Sequence, residues 1–126
     1  MSKSIGLSFV VISIVLLFLA TLEKKIRLAS LIQKDKGLRR LAEEATRNHY
    51  VQRELDHLIE ELGKGHFGGL PGVRHIAGTD IFYLRGRQGG RLYYRKTNEG
   101  YEIVGKSAKG RNQEQVIQKL VELYSR

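Results

Sequence analysis

Two short apolar-aromatic runs, residues 80–85 (DIFYLR) and 91–96 (RLYYRK), flank residues 86–90. No other stretch limits the possible folds so strongly. A glycine-bearing connection between aromatic-rich runs predicts a β-hairpin. Side chains alternate along a strand, so Phe82 and Leu84 share a face, as do Leu92 and Tyr94. Tyr83 and Arg85 share the other face, and so do Arg91, Tyr93 and Arg95. The first face is apolar enough to be buried. The second is expected to stand open and present guanidinium groups and a phenol to something anionic. Arg85, Arg87, Arg91, Arg95 and Lys96 all fall within twelve residues.

The whole chain repeats that charge bias. It has 126 residues, enough for one small domain, with 22 Lys+Arg against 13 Asp+Glu and a net charge of +9. Such a balance favours polyanions, either nucleic acid or an anionic membrane surface. Cysteine is absent, which excludes disulfides, thiolate chemistry and Cys-based zinc sites. His49 and His57 lie eight apart, too far for a metal pair on one helical face, and His66 and His75 lie in a loop. No metal site and no cofactor are expected.

Residues 5–22 (IGLSFVVISIVLLFLATL) are eighteen positions without a charge. At about 1.5 Å per residue they span roughly 27 Å as a helix, close to the hydrocarbon thickness of a bilayer. Lys24, Lys25, Arg27, Lys34, Lys36, Arg39 and Arg40 follow, against Lys3 before it. That asymmetry predicts a single N-terminal span that leaves the rest of the chain facing the cytoplasm. The division expected is a hydrophobic segment, residues 1–24, and a folded domain, residues 25–126. A signal peptide is disfavoured by the poor cleavage site at Leu19-Ala20-Thr21 and by the reversed flanking charge. A buried strand pair and a misplaced start codon also compete with the span, and without a span the chain would be soluble and cytoplasmic.

Residues 26–32 (IRLASLI) read as a strand leading into two helices, 36–47 and 49–62. Leu38, Leu41, Ala42 and Ala45 form one apolar stripe. Val51, Leu55, Leu58, Ile59 and Leu62 form the other. Asp35 and Asn48 are the expected caps. Glu43, Glu44, Glu54, Asp56, Glu60 and Glu61 sit mainly off the stripes. Residues 65–79 carry five glycines and the only proline, so they form a loop, extended at most over 73–76. Residues 101–108 form another strand after the turn 97–100. Asn112 is the expected cap of a final helix, 113–124, with the stripe Val116, Ile117, Leu120 and Leu123. The fold class is therefore α+β: an N-terminal transmembrane-like helix, then a helical hairpin packed on a small antiparallel sheet of 3–4 strands, with a C-terminal helix.

This order of elements resembles the RelE/ParE superfamily of toxins from type II toxin–antitoxin systems. Gly78-Thr79, Leu84-Arg85, Arg91-Leu92-Tyr93-Tyr94-Arg95 and Lys109 carry the resemblance, which covers residues 26–124. It implies a small RNase fold and a cognate antitoxin protein as partner. RelE-like members cleave mRNA on the ribosome. ParE-like members instead inhibit DNA gyrase without RNase residues. Metal-free RNA cleavage needs a base, an acid and cations for the charge that develops on the phosphoryl oxygens. Arginine suits the last task, being planar and always charged. Arg91 matches the family's catalytic arginine, Arg85 lies across the hairpin from it, and Lys109 and Arg111 match the basic pair after the last strand. These four are the expected catalytic residues, with Arg87, Tyr93, Arg95 and Lys106 as nucleic-acid-binding neighbours.

The chain also departs from the family. The strand before the hairpin turn reads Ile81-Phe82-Tyr83-Leu84 where RelE-type enzymes carry lysines, and the last helix begins without the usual Tyr or His. Base and acid stay unassigned, with His75, Tyr93, Glu102 and Lys106 as candidates by chemistry alone. The expected function is thus an RNA-cleaving toxin. The rivals are a non-catalytic ParE-like inhibitor and a membrane-tethered basic module that binds nucleic acid or lipid.

Overall fold

A computed structural model describes residues 27–30, 32–65 and 73–126. The apolar stretch 5–22, and with it the expected membrane span, lies outside the described residues, as does the middle of the Gly-rich loop. Among the described residues no helix is long and apolar enough to cross a membrane.

The described chain is α+β. Helices α1 (Lys36–Thr46), α2 (His49–Lys64) and α3 (Arg111–Tyr124) surround one sheet. Its strands are β1 (Arg27–Ser30), β2 (Val73–His75), β3 (Ile81–Arg85), β4 (Arg91–Lys96) and β5 (Gly100–Ser107), in the order β1-β5-β4-β3-β2. Strands β2 to β5 are antiparallel neighbours, and β1 joins β5 in parallel.

Local chemistry sets the helical hairpin. Asp35 caps α1 by accepting from the Leu38 amide at 2.9 Å, and Asn48 caps α2 by accepting from Tyr50 and Val51. Gly65 closes α2 in the left-handed region at φ 74. Leu38, Leu41, Ala42 and Ala45 are buried on α1, and Val51, Leu55, Leu58 and Leu62 on α2. Helix α1 packs against β5 and α3.

Three expectations fail at the C-terminal helix. Its cap is not Asn112. The helix starts at Arg111 behind Gly110, at φ 102, with no side-chain cap. The Asn112 carboxamide instead accepts from the Ala108 amide at 2.9 Å and donates to the Leu41 carbonyl at 3.0 Å, tying α3 to α1. Leu123 is exposed rather than part of the buried stripe. The third failure concerns the sheet face expected to be open, because α3 lies across it. A side chain at Gly105 would meet Tyr93, Val116 and Leu120 within 3.4 Å, so glycine there admits the helix. A bulge at Tyr93/Tyr94 makes room for Val104 as an extra residue, which leaves Tyr93 opposite Gly105. Both sides of the central sheet are consequently buried, Leu84 and Leu92 on one and Tyr93 on the other.

Candidate nucleic-acid interface

The hairpin turn between β3 and β4 is held by a side chain from α2. Glu54 accepts from the Gln88 amide at 2.7 Å through Oε2 and from the Gly90 amide at 2.8 Å through Oε1. The Gly86 amide closes the turn onto the Gly90 carbonyl at 2.8 Å. Within the turn only Gly89 has a positive φ, of 98°. Gly86 and Gly90 are glycines for another reason. A Cβ on Gly86 would lie 2.0 Å from the Glu54 Cδ, and one on Gly90 would lie 3.0 Å from its Oε1. The sequence offered one hint of this contact, namely more glycines than the backbone of one short turn requires.

Arg91 opens β4 and pairs with Arg85 on one side and Ser107 on the other. Directly paired residues share a face, so the three side chains form one row. Arg91 is only 4% exposed. Its Nη1 donates to the Gly90 carbonyl at 3.1 Å, and its Nε has no partner. Arg95 pairs with Asp80 and Glu102, and Arg126 with Asp80, but among the described residues no ion pair involves Arg91. A buried cation without an anion costs roughly several kcal/mol of desolvation, of which the bond to the Gly90 carbonyl returns only part.

Neutral dipoles lie beside it. The Tyr93 hydroxyl and Ser107 Oγ share a hydrogen bond of 2.9 Å, both fully buried. Burial pushes the Tyr93 phenol up to about 12, so it keeps its proton at neutral pH and cannot serve as a base.

The remaining cations of this end are accessible. Arg85, Arg87, Lys109 and Arg111 are exposed. The turn carrying Lys109 touches the hairpin turn, since a Cβ on Gly89 would sit 3.2 Å from the Lys109 Cβ. Helix α3 starts beside it without a side-chain cap, and the free amides of a first turn add positive partial charge. The fold therefore brings Arg85, Arg87, Arg91, Lys109 and Arg111 to one end of the sheet.

Three of the expected contributors stand apart. Arg95 is bound to Asp80 through Nε at 3.0 Å and Nη2 at 2.8 Å, with Glu102 at 3.7 Å and the Tyr124 ring at 4.8 Å. This cluster occupies the opposite end of β4 and holds α3 down. Lys106 pairs with Leu92, which places it on the sheet face opposite Ser107. Tyr93 is a core residue. Among the other acid and base candidates, His75 hydrogen-bonds the Thr79 carbonyl at 2.7 Å and packs at a tilt against Phe82, and Glu102 lies beside Arg95. Both are remote from Arg91. Among the described residues no group of three or more potential metal ligands is found.

Such an arrangement can bind a phosphodiester. A buried guanidinium with an unused donor lies among exposed cations, and among the described residues no carboxylate forms an ion pair with it. The chain matches no family model, no curated protein and no solved structure. The RelE/ParE resemblance therefore rests on the residues and on the order of elements.

Proposed function

We propose that this chain is an RNA-directed toxin of the RelE/ParE kind, which grips a backbone phosphate with Arg91 and Arg85 while Arg87, Lys109 and Arg111 hold the flanking strand. Cleavage of ribosome-bound mRNA is the activity that this grip would serve. A cognate antitoxin protein is the partner implied, and residues 5–22 would anchor the domain to the cytoplasmic face of a membrane. One observation carries the proposal: Arg91 is buried with its Nε unpaired and has no carboxylate partner. A fold retains so costly a group where an incoming anion completes it.

One finding favours the second reading, a non-catalytic inhibitor of the ParE type. Tyr93 is a buried neutral phenol, and His75 and Glu102 are engaged at the far end of the strands, so none of these three candidates stands beside Arg91 as a base.

The variant Arg91→Met tests the binding site. Replacing a buried, unpaired cation with an apolar chain of similar length should leave the fold as stable or more stable, by up to about 3 kcal/mol. Affinity for a single-stranded RNA oligomer should fall, and the slope of log K against log salt should shrink by about 0.7, the share of one phosphate contact. Loss of stability together with an unchanged salt slope would make Arg91 a structural residue and refute the site. Cleavage of the oligomer by the wild-type protein separates the enzymatic reading from the inhibitory one.

A further inference from the structure

We propose that Glu54 is a positioning residue of the phosphate-binding hairpin: an acid placed against a cationic site to strengthen its hold on an anion. The inference rests on the RNA-binding reading above. Gly90 is the hub. Its amide donates to Glu54, while its carbonyl accepts from the Gly86 amide and from Arg91 Nη1. Fixing Gly90 from both sides fixes the carbonyl on which the buried guanidinium rests. Without Glu54 the turn keeps one cross-bond, from Gly86 to Gly90, and the amides of Gln88 and Gly90 lose their acceptor. The glycines agree with this role. Gly86 and Gly90 lack positive φ, and both leave out a side chain where the carboxylate must pass. Two positions thus accommodate one contact that crosses from α2 to a turn more than thirty residues later.

Charge alone argues the reverse. A carboxylate near a polyanion site repels the ligand, so its removal should tighten binding. Positioning predicts that removal weakens binding despite the gain of one unit of net charge. The sign of the effect therefore distinguishes the two.

The experiment compares Glu54→Ala with Asp56→Ala in the full chain. Asp56 is exposed on the same helix, so both variants make the same charge change. Anisotropy of a labelled single-stranded RNA oligomer reports affinity, and circular dichroism reports the fold. Glu54→Ala is expected to bind about tenfold more weakly, the effect of loosening one charge-assisted contact, while Asp56→Ala binds as well as wild type or slightly better. Equal or tighter binding by Glu54→Ala would overturn the proposal.

A second measurement needs no RNA. The side-chain Nε–H resonance of Arg91, identified by its loss in Arg91→Met, should be sharp in wild type and broadened in Glu54→Ala. An unchanged resonance would also overturn the positioning role. Wild-type protein that fails to bind RNA would refute the binding reading instead, and the resonance would still decide the role of Glu54.

Discussion

Replacing Gly86 with alanine puts a methyl carbon where Glu54 now lies, 2.0 Å from Cδ and 2.2 Å from Oε1. The carboxylate is the free end of a flexible chain, so it swings out and the backbone does not tear. The cost is the two hydrogen bonds to Gln88 and Gly90. Bonds to charged groups contribute roughly 1.5–3 kcal/mol each when sheltered. Here the Glu54 side chain is half-buried and Gln88 is exposed, so water replaces part of the loss, and about 2 kcal/mol for the pair is reasonable. Alanine returns about 0.4–1 kcal/mol by restricting the unfolded chain, because φ at this position is not positive. The net expectation is a loss of about 1–1.5 kcal/mol, or roughly 5–8 °C in Tm for a domain of this size. In a Glu54→Ala background the three atoms nearest to that methyl group are gone. The same substitution should then stabilise the protein by about 0.4–1 kcal/mol. Urea unfolding of the four proteins gives the double-mutant cycle. An equal cost of Gly86→Ala in both backgrounds would show that the carboxylate does not hold the turn, and the reasoning would fail.

Two further outcomes follow from the opposite end of the sheet and from its centre. The hydrogen bond from Arg95 holds the Asp80 carboxyl below its ordinary value of 3.8, outweighing burial, which acts to raise it. A depressed carboxylate contributes stability that is present above the ordinary value and lost as pH falls through the lowered one. Asp80→Asn should therefore flatten the acid limb of Tm against pH below about 4, and parallel curves for variant and wild type would mean that the pair adds nothing. Tyr93→Phe should cost about 1–2 kcal/mol by stranding the buried Ser107 hydroxyl. Adding Ser107→Ala should recover part of that loss, and no loss in the single variant would count against the bond.

Much of the architecture was legible because its causes are short-ranged. The stripes of α1 and α2 repeat at three and four residues, and the caps Asp35 and Asn48 reach amides two or three residues ahead. Alternation along β3 and β4 also revealed two distinct faces. It did not say what covers them. Tyr93 looked like part of a binding surface, yet Gly105 on the neighbouring strand clears a path for α3, and the phenol becomes core. Arg95 looked like a sibling of Arg91 until Asp80 took the Nε–Nη2 edge of its guanidinium. Asn112 had the right chemistry for a cap. Gly110 took the position, and the carboxamide was used for a bond to Leu41, 71 residues earlier. Glu54 passed for a solvated acid because its partners lie 34 and 36 residues away. In each case the deciding contact was long-ranged, and residue patterns record only the near neighbours.

The parallel seam between β1 and β5 sets the order in which the domain assembles. Arg27 lies opposite Gly100, 73 positions later in the chain, whereas Leu92 and Lys106 are separated by only 14. Closing the longer loop costs about 1.5 kcal/mol more in chain entropy. The seam also has nothing to pair with until the last strand exists, so β1 can dock only once β5 has been made. During synthesis the helical hairpin leaves the ribosome before β2 to β5, its leucine stripes uncovered while those strands are still being made. Arg85 and Arg91 meet as soon as the β3–β4 hairpin closes, whereas Lys109 and Arg111, which follow β5, complete the cationic end last.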